Sequence, residues 1–472
     1  MSKKNRYIDL HCHPALKPFG KSFDSSKTQK RNSPNRMRKN SIYHRKGVTP
    51  LRKKINNLLT LTKFTQADLT SVHRGELRIL VVSLYPLEKK MVMNRDGVSG
   101  FGKLLRNLTT GIGLKRIEHL QKMKDYFTDL EDEYHFYEAL DNIPVTVDRK
   151  KVRYKMVASF KEIEEWEEDD IPTVFIIISI EGCHVFNTGL QLAGREKADP
   201  VEVLANIEKV KKWRYPPFFV GLAHHFENEL CGHAKSMGGL VARVLKQIVD
   251  ETKGITPLGT KVIDALLETD RGPRIFIDLK HMNVTSRYEY YEYIKERYNG
   301  SIPFIVSHGA VNGINNPIDN NRVDPSFNDA TINFYDDEVF RIARSGGIFG
   351  IQLDERRIAH KKVMGLLAGR NKSAKLIWLQ IEHMATYLDL LGLDAWNIQC
   401  LGTDFDGIID PLPGFWTAKD LDKLPKFLED HANDFLASER GLQLKPKNKL
   451  TAKKIVAKFM FDNAQTFLKK HF

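Results

Sequence analysis

The sequence predicts an α/β fold, a (β/α)8 barrel of TIM type, on three observations. Short apolar, β-branched runs alternate with amphipathic stretches, as in RYIDLHCH, PTVFIIISIEG and RIFIDLKH. The runs are near-continuously apolar, as expected of parallel strands covered on both faces. Several end in a histidine or carboxylate, and strand C-termini of such a barrel converge on one face.

Eight strands are expected, at residues 6–12, 77–85, 173–180, 217–224, 274–279, 302–307, 347–353 and 397–403. Helical periodicity recurs at 114–140, 200–213, 258–269, 286–298, 336–345 and 373–391, and a last helix is expected at 450–470. Two connections break the rhythm, a basic stretch at 14–76 after strand one and a second insertion at 86–172 after strand two. Both follow strand ends and should rise from the face where loops set specificity. The whole of 1–472 therefore reads as a single barrel with two long insertions.

With 472 residues, 42% of them hydrophobic, the chain can bury a large core as one domain. No apolar run approaches the roughly 18–20 residues needed to cross a bilayer. The start, MSKKNRYIDLHCHP, lacks the apolar segment of a signal peptide. Cys12, Cys183, Cys231 and Cys400 form no CxxC pair, so they read as reduced thiols and the protein as cytoplasmic. The net charge of +14 is concentrated between Lys21 and Thr60, where twelve Lys and Arg face the single acid Asp24. The stretch is poor in aromatics and reads as a solvated insertion, with a nucleic acid or other anionic partner through 21–60 as the competing reading.

Six residues at strand ends carry the chemistry: His11, His13, Glu181, His281, His308 and Asp404. His11 and His13 lie two apart, so both imidazoles of strand one point to one side while Cys12 points away. Glu181 ends a long apolar run, where a carboxylate is costly unless paired or metal-bound. A glutamate can bridge two cations and a histidine cannot. His281 and His308 end consecutive strands, one βα unit apart. Asp404 in GTDFDG is placed to accept a proton from water, and Asp406 to orient the loop or cap the following turn. His224 and His225 exceed what such a metal set needs, and His224 suits a donor to a developing oxyanion.

The order of these motifs resembles the membrane (renal) dipeptidase family of the amidohydrolase superfamily. SIEGCH, LAHHFEN, IFIDLKHMN, IPFIVSHGAV, NFYDDEVFRIARSGG, CLGTDFDGI and MFDNAQTFLKK follow in that family's order, over most of 171–470 and the first strand. The resemblance implies a zinc-dependent hydrolase of a dipeptide or other small amide, often a homodimer. It implies one zinc on His11, His13 and Glu181 and a second on Glu181, His281 and His308, with Asp404 as proton relay and His224 as oxyanion donor. Two positions depart from the family's pattern. His13 stands where the family usually has Asp, which leaves the site one unit more positive. Ile332 stands where an arginine commonly clamps the substrate carboxylate, so Arg322 or an arginine of the insertion is left to compensate. The residues alone also admit a metal-dependent phosphoesterase of the histidinol-phosphatase-like kind, which DLHCH also opens. A catalytically silent barrel binding a partner through 21–60 is the third reading.

Overall fold

A computed structural model describes residues 6–22, 42–43, 64–92, 110–166, 170–187, 197–237, 247–319, 325–360 and 369–472, with isolated positions between 49 and 107 and at 363. Ten strands are present among them: β1 (Tyr7–Cys12), β2 (Leu77–Leu84), β3 (Val145–Val147), β4 (Lys150–Met156), β5 (Thr173–Ile180), β6 (Phe219–Gly221), β7 (Phe276–Asp278), β8 (Ile305–Gly309), β9 (Ile348–Ile351) and β10 (Gln399–Leu401). Eight of these form the parallel barrel, in the order β1-β2-β5-β6-β7-β8-β9-β10. Each coincides with an expected strand. The circuit nears closure through a parallel bridge between Cys12 and Phe405, where His11 O accepts from Asp404 N at 2.9 Å and Phe405 O accepts from His13 N at 2.8 Å. The first and last site motifs thus become backbone neighbours.

β5 shows why the strands are apolar throughout. Ile176, Ile177 and Ile178 are all fully buried although successive side chains face opposite sides. Each such side chain contributes about 1.5–3 kcal/mol by leaving water.

The hairpin β3–β4 departs from the expected pattern. It arises within the second insertion, and β4 pairs in parallel with the N-terminal half of β5, Arg153 opposite Thr173 through Met156 opposite Ile176. This part of the insertion extends the sheet at the end of β5 remote from Glu181. Its sequence, VTVDRKKVRYKM, is too charged to read as barrel strand, because Lys150 and Lys151 are exposed and only the segment from Val152 onward is buried.

The helices that cover the barrel include Tyr126–Glu138, Pro200–Lys211, Pro257–Leu267, Val284–Arg297, Asp336–Arg344 and Arg370–Leu390. Asp199, Thr256 and Asn283 start the second, third and fourth of these by accepting from first-turn amides. The expected last helix is divided into Ala452–Ala457, a π segment at Lys458–Asp462, and Asn463–His471. Asn463 Nδ2 there donates to Trp396 O at 2.7 Å and Gln399 O at 2.8 Å, tying the C-terminus to β10. Most of the basic stretch 21–60, and Arg322, lie outside the described residues. Among the described residues no helix is long and apolar enough to cross a membrane. The four cysteines are free and buried.

Candidate metal centre

The site is assembled around Glu181, one residue past β5 and followed by Gly182 at φ +96°. A Cβ at Gly182 would lie 2.5 Å from His184 Nδ1 and 2.8 Å from His224 Cβ, so only glycine allows the turn that aims Glu181 inward. Glu181 Oε1 lies 3.1 Å from His281 Nε2, 3.5 Å from His308 Nε2 and 3.7 Å from His11 Nε2 and from His224 Nε2. Its Oε2 lies 3.1 Å from His13 Nε2. Asp404 closes the other side, with Oδ1 3.5 Å from His13 Nε2 and 3.8 Å from His11 Nε2. The six strand-end residues singled out in the sequence and His224 therefore meet in one buried cluster. His281 and Asp404 reach it with left-handed backbones, φ +68° and +58°, a strain that surrounding contacts must hold in place.

The outward-facing ring nitrogens set the chemistry of the inward-facing ones. His13 Nδ1 donates to Ser83 O at 3.0 Å, which leaves the Nε2 lone pair pointing inward when the ring is neutral. Ser307 Oγ donates to Asp278 and lies 2.8 Å from His308 Nδ1, so His308 also presents Nε2 to the centre. His11 Nε2 and His13 Nε2 are 3.1 Å apart, and the His11 and His308 rings stack at 3.9 Å. Two imidazole nitrogens 3.1 Å apart share either a proton or a cation. Among the described residues five triads have donor atoms close enough to share one ion, and two of them, His11 with His13 and Asp404, and Glu181 with His281 and His308, together take in all six strand-end residues. The donor set therefore fits divalent metal, with imidazole and carboxylate ligands of the kind zinc accepts.

Electrostatics agree with that donor set. Burial opposes charge on Glu181, yet His224 and His13 hold its carboxyl well below the usual range. Burial drives His11 and His308 well below the ordinary imidazole value and His281 down to about 3, so these three rings are neutral at pH 7. Against its own burial, His13 is raised to about 10 by Glu181 and Asp404, which draw positive charge to this point. Burial pushes Asp404 up to about 6, against the pull of His13 and with the help of Glu181.

Further residues complete the surroundings. Gln352 Nε2 donates to Asp404 Oδ2 at 2.7 Å, and its Oε1 accepts from the buried Lys280 Nζ at 3.3 Å. Burial and the charge of Arg357 bring Lys280 down to about 7. His224 Nδ1 donates to Glu88 Oε1 at 2.9 Å, which fixes its ring with Nε2 toward Glu181. Asp406 is structural: Lys17 donates to its Oδ1, and Gln66 N and Ala67 N donate to its Oδ2 at 3.0 and 2.8 Å. Asp9 accepts from Thr403 N at 2.8 Å and from His11 N at 3.3 Å, locking β1 to the Asp404 loop.

Glu88, Lys280, Gln352, Arg357, Asp9 and Asp278 were not singled out in the sequence. A signal existed for Asp9 and Asp278, because each sits inside an apolar strand, where a carboxylate demands a partner. Glu88 in YPLEKK looks like any solvated glutamate beside lysines.

No protein-family profile and no curated protein matches the sequence. Solved structures do match. One is the dipeptidase AC, a metallo peptidase of family M19, at 13% identity and TM-score 0.52, with 99% of each chain covered. Another is a metallo peptidase from Rhodobacter sphaeroides, liganded with a phosphinate mimic of the dipeptide L-Ala-D-Ala, at 12% identity and TM-score 0.51, with 100% of each chain covered. At such identities the likeness carries the fold, and it is the fold that the motifs and strand rhythm predict.

Proposed function

We propose that this protein is a metal-dependent hydrolase of the dipeptidase type, cleaving a small amide or dipeptide bond with two zinc ions. The observation that carries the reading is the convergence of four imidazoles and two carboxylates on one buried point, with Glu181 in contact with both halves of the cluster. The same constellation order in the motifs, and a fold shared with metallo peptidases, support it.

In this reading His11, His13 and Glu181 would hold one ion, and Glu181, His281 and His308 would hold the other. Divalent metal there supplies Lewis acidity and acidifies water, the two things amide hydrolysis needs most. Asp404 receives the proton at Oδ1, since Gln352 occupies Oδ2, and later delivers it to the leaving amine. His224 would donate from Nε2 to the developing oxyanion as an imidazolium, protonated at both nitrogens; Glu88 holds its Nδ1–H and so its orientation, and Glu88 and Glu181 raise its pKa against its burial. Burial of the cluster excludes bulk water and strengthens each of these interactions.

The test is zinc-supplemented hydrolysis of L-L and L-D dipeptides beside phosphate monoesters. Dipeptide cleavage abolished by a chelator and restored by zinc supports the proposal. Phosphate ester cleavage with no dipeptide cleavage would replace it with the phosphoesterase reading.

A further inference from the structure

Beside the metal centre lies a further group of donor atoms that the reaction uses only in part. Glu88 belongs to the second insertion, four residues past β2, His184 to the turn Cys183–Phe186 after β5, and His224 to the loop after β6. Their donor atoms lie within 4.8 Å of one another, the same closeness that marks the triads of the centre. Glu88 is 4%, His184 5% and His224 2% exposed.

Glu88 Oε1 is fully engaged, accepting from His224 Nδ1 at 2.9 Å and from His225 N at 3.0 Å. Its Oε2 is buried with no hydrogen-bond partner among the described residues, and so is His184 Nδ1. His184 Nε2 donates to Pro86 O at 2.8 Å, and burial lowers the pKa of the ring, so Nδ1 carries a lone pair. Two buried acceptors with nothing donating to either are costly. A Cβ on Gly182 would stand 2.5 Å from His184 Nδ1 and 2.8 Å from His224 Cβ, on a side of the group that glycine leaves open. One divalent ion satisfies both acceptors at once, and two imidazoles with a carboxylate are a donor set that zinc accepts.

We propose that Glu88, His184 and His224 form a further divalent-cation site, separate from the positions around Glu181, in which zinc is held by the Glu88 carboxylate, His184 Nδ1 and His224 Nδ1. The ion takes the place of one proton, that between His224 Nδ1 and Glu88, which leaves to solvent. The His224 ring keeps its Nε2–H toward Glu181, so the donor assigned above is not lost. The exchange adds one unit of positive charge close to the metal centre, so this position binds more weakly than the centre and fills last. It also ties the second insertion to the loops after β5 and β6. The site stands on its own three residues and not on the reaction.

The experiment is equilibrium dialysis of the full chain against a series of free zinc concentrations, with bound zinc counted by elemental analysis and folding followed by circular dichroism. At saturation wild type is expected to bind one zinc more than His184→Gln, in a last and weakest step that dialysis against zinc-free buffer reverses. Glu88→Gln should lose the same step. Zinc-soaked crystals of wild type should show anomalous scattering at roughly 2.0–2.2 Å from His184 Nδ1 and from a Glu88 carboxylate oxygen. Equal saturation of wild type and a folded His184→Gln overturns the proposal, as does a crystal with no ion at that point; water then bridges the two acceptors. Where a variant fails to fold, the crystal decides. No arm reads hydrolysis, so a chain that cleaves no dipeptide but binds the additional ion keeps this site and loses only the reaction.

Discussion

Asp404→Asn isolates the proton-transfer step from the rest of the site. Gln352 Nε2 bonds Asp404 Oδ2 at 2.7 Å, so the asparagine carbonyl takes that place and its NH2 group takes the place of Oδ1. The new donor faces His13 Nε2 and His11 Nε2, where Oδ1 stood at 3.5 and 3.8 Å, and cannot accept a proton. The side-chain volume barely changes, and Gly407 preserves the loop, since a Cβ there would meet the Asp404 carboxylate. Positioned general bases contribute roughly 10²- to 10⁴-fold, or about 3–5 kcal/mol of barrier. Turnover of a dipeptide by Asp404→Asn should fall by that factor, with zinc content unchanged by elemental analysis. Turnover within tenfold of wild type would refute the base assignment. Loss of zinc together with turnover would instead make Asp404 a ligand beside His11 and His13, an arrangement their geometry also permits.

Other perturbations test separate links. His224→Ala should retain zinc and lose roughly 10²- to 10³-fold in kcat, as removal of one oxyanion donor does, and unaffected turnover would make His224 structural. Glu338→Ala leaves the buried Arg287 guanidinium without the carboxylate that meets it at 2.7 and 3.0 Å, and urea denaturation should show a loss of about 3–5 kcal/mol. A midpoint near wild type would show that the backbone carbonyls around Arg287 suffice. Glu133 is buried and raised from 4.5 to about 7, so the folded state keeps a proton that the unfolded chain has released between those values. Wild type should therefore lose stability relative to Glu133→Gln as pH rises from about 4.5 to 7, by at most roughly 3 kcal/mol. A parallel pH dependence of the two proteins would contradict that burial.

Much of the barrel was legible because parallel strands buried on both faces leave a strong apolar signature, as VFIIISI does. The site was legible where a polar residue terminates such a run, as Glu181, His281 and His308 do. What escaped the sequence depends on the third dimension. β4 joins the sheet with a charged first half, because its outer end is solvated. Glu88 lies just before a 3-10 turn and Arg357 in the four-residue helix Glu355–Ile358, and the composition of neither segment says where it folds back. Arg356 and Arg357 are adjacent and chemically identical, and only the fold decides that the first meets the Asp354 carboxylate and the second the carbonyl of Ser236.

The central claim is that Glu181 joins two metal positions in a hydrolytic centre. It is tested most directly by measuring zinc content and dipeptide hydrolysis on the same preparations of wild type and Glu181→Gln. The account predicts two zinc ions and chelator-sensitive hydrolysis in wild type. In the variant, occupancy should fall at both positions and hydrolysis should be lost. Full two-ion loading in Glu181→Gln, or hydrolysis that survives removal of the metal, would contradict it.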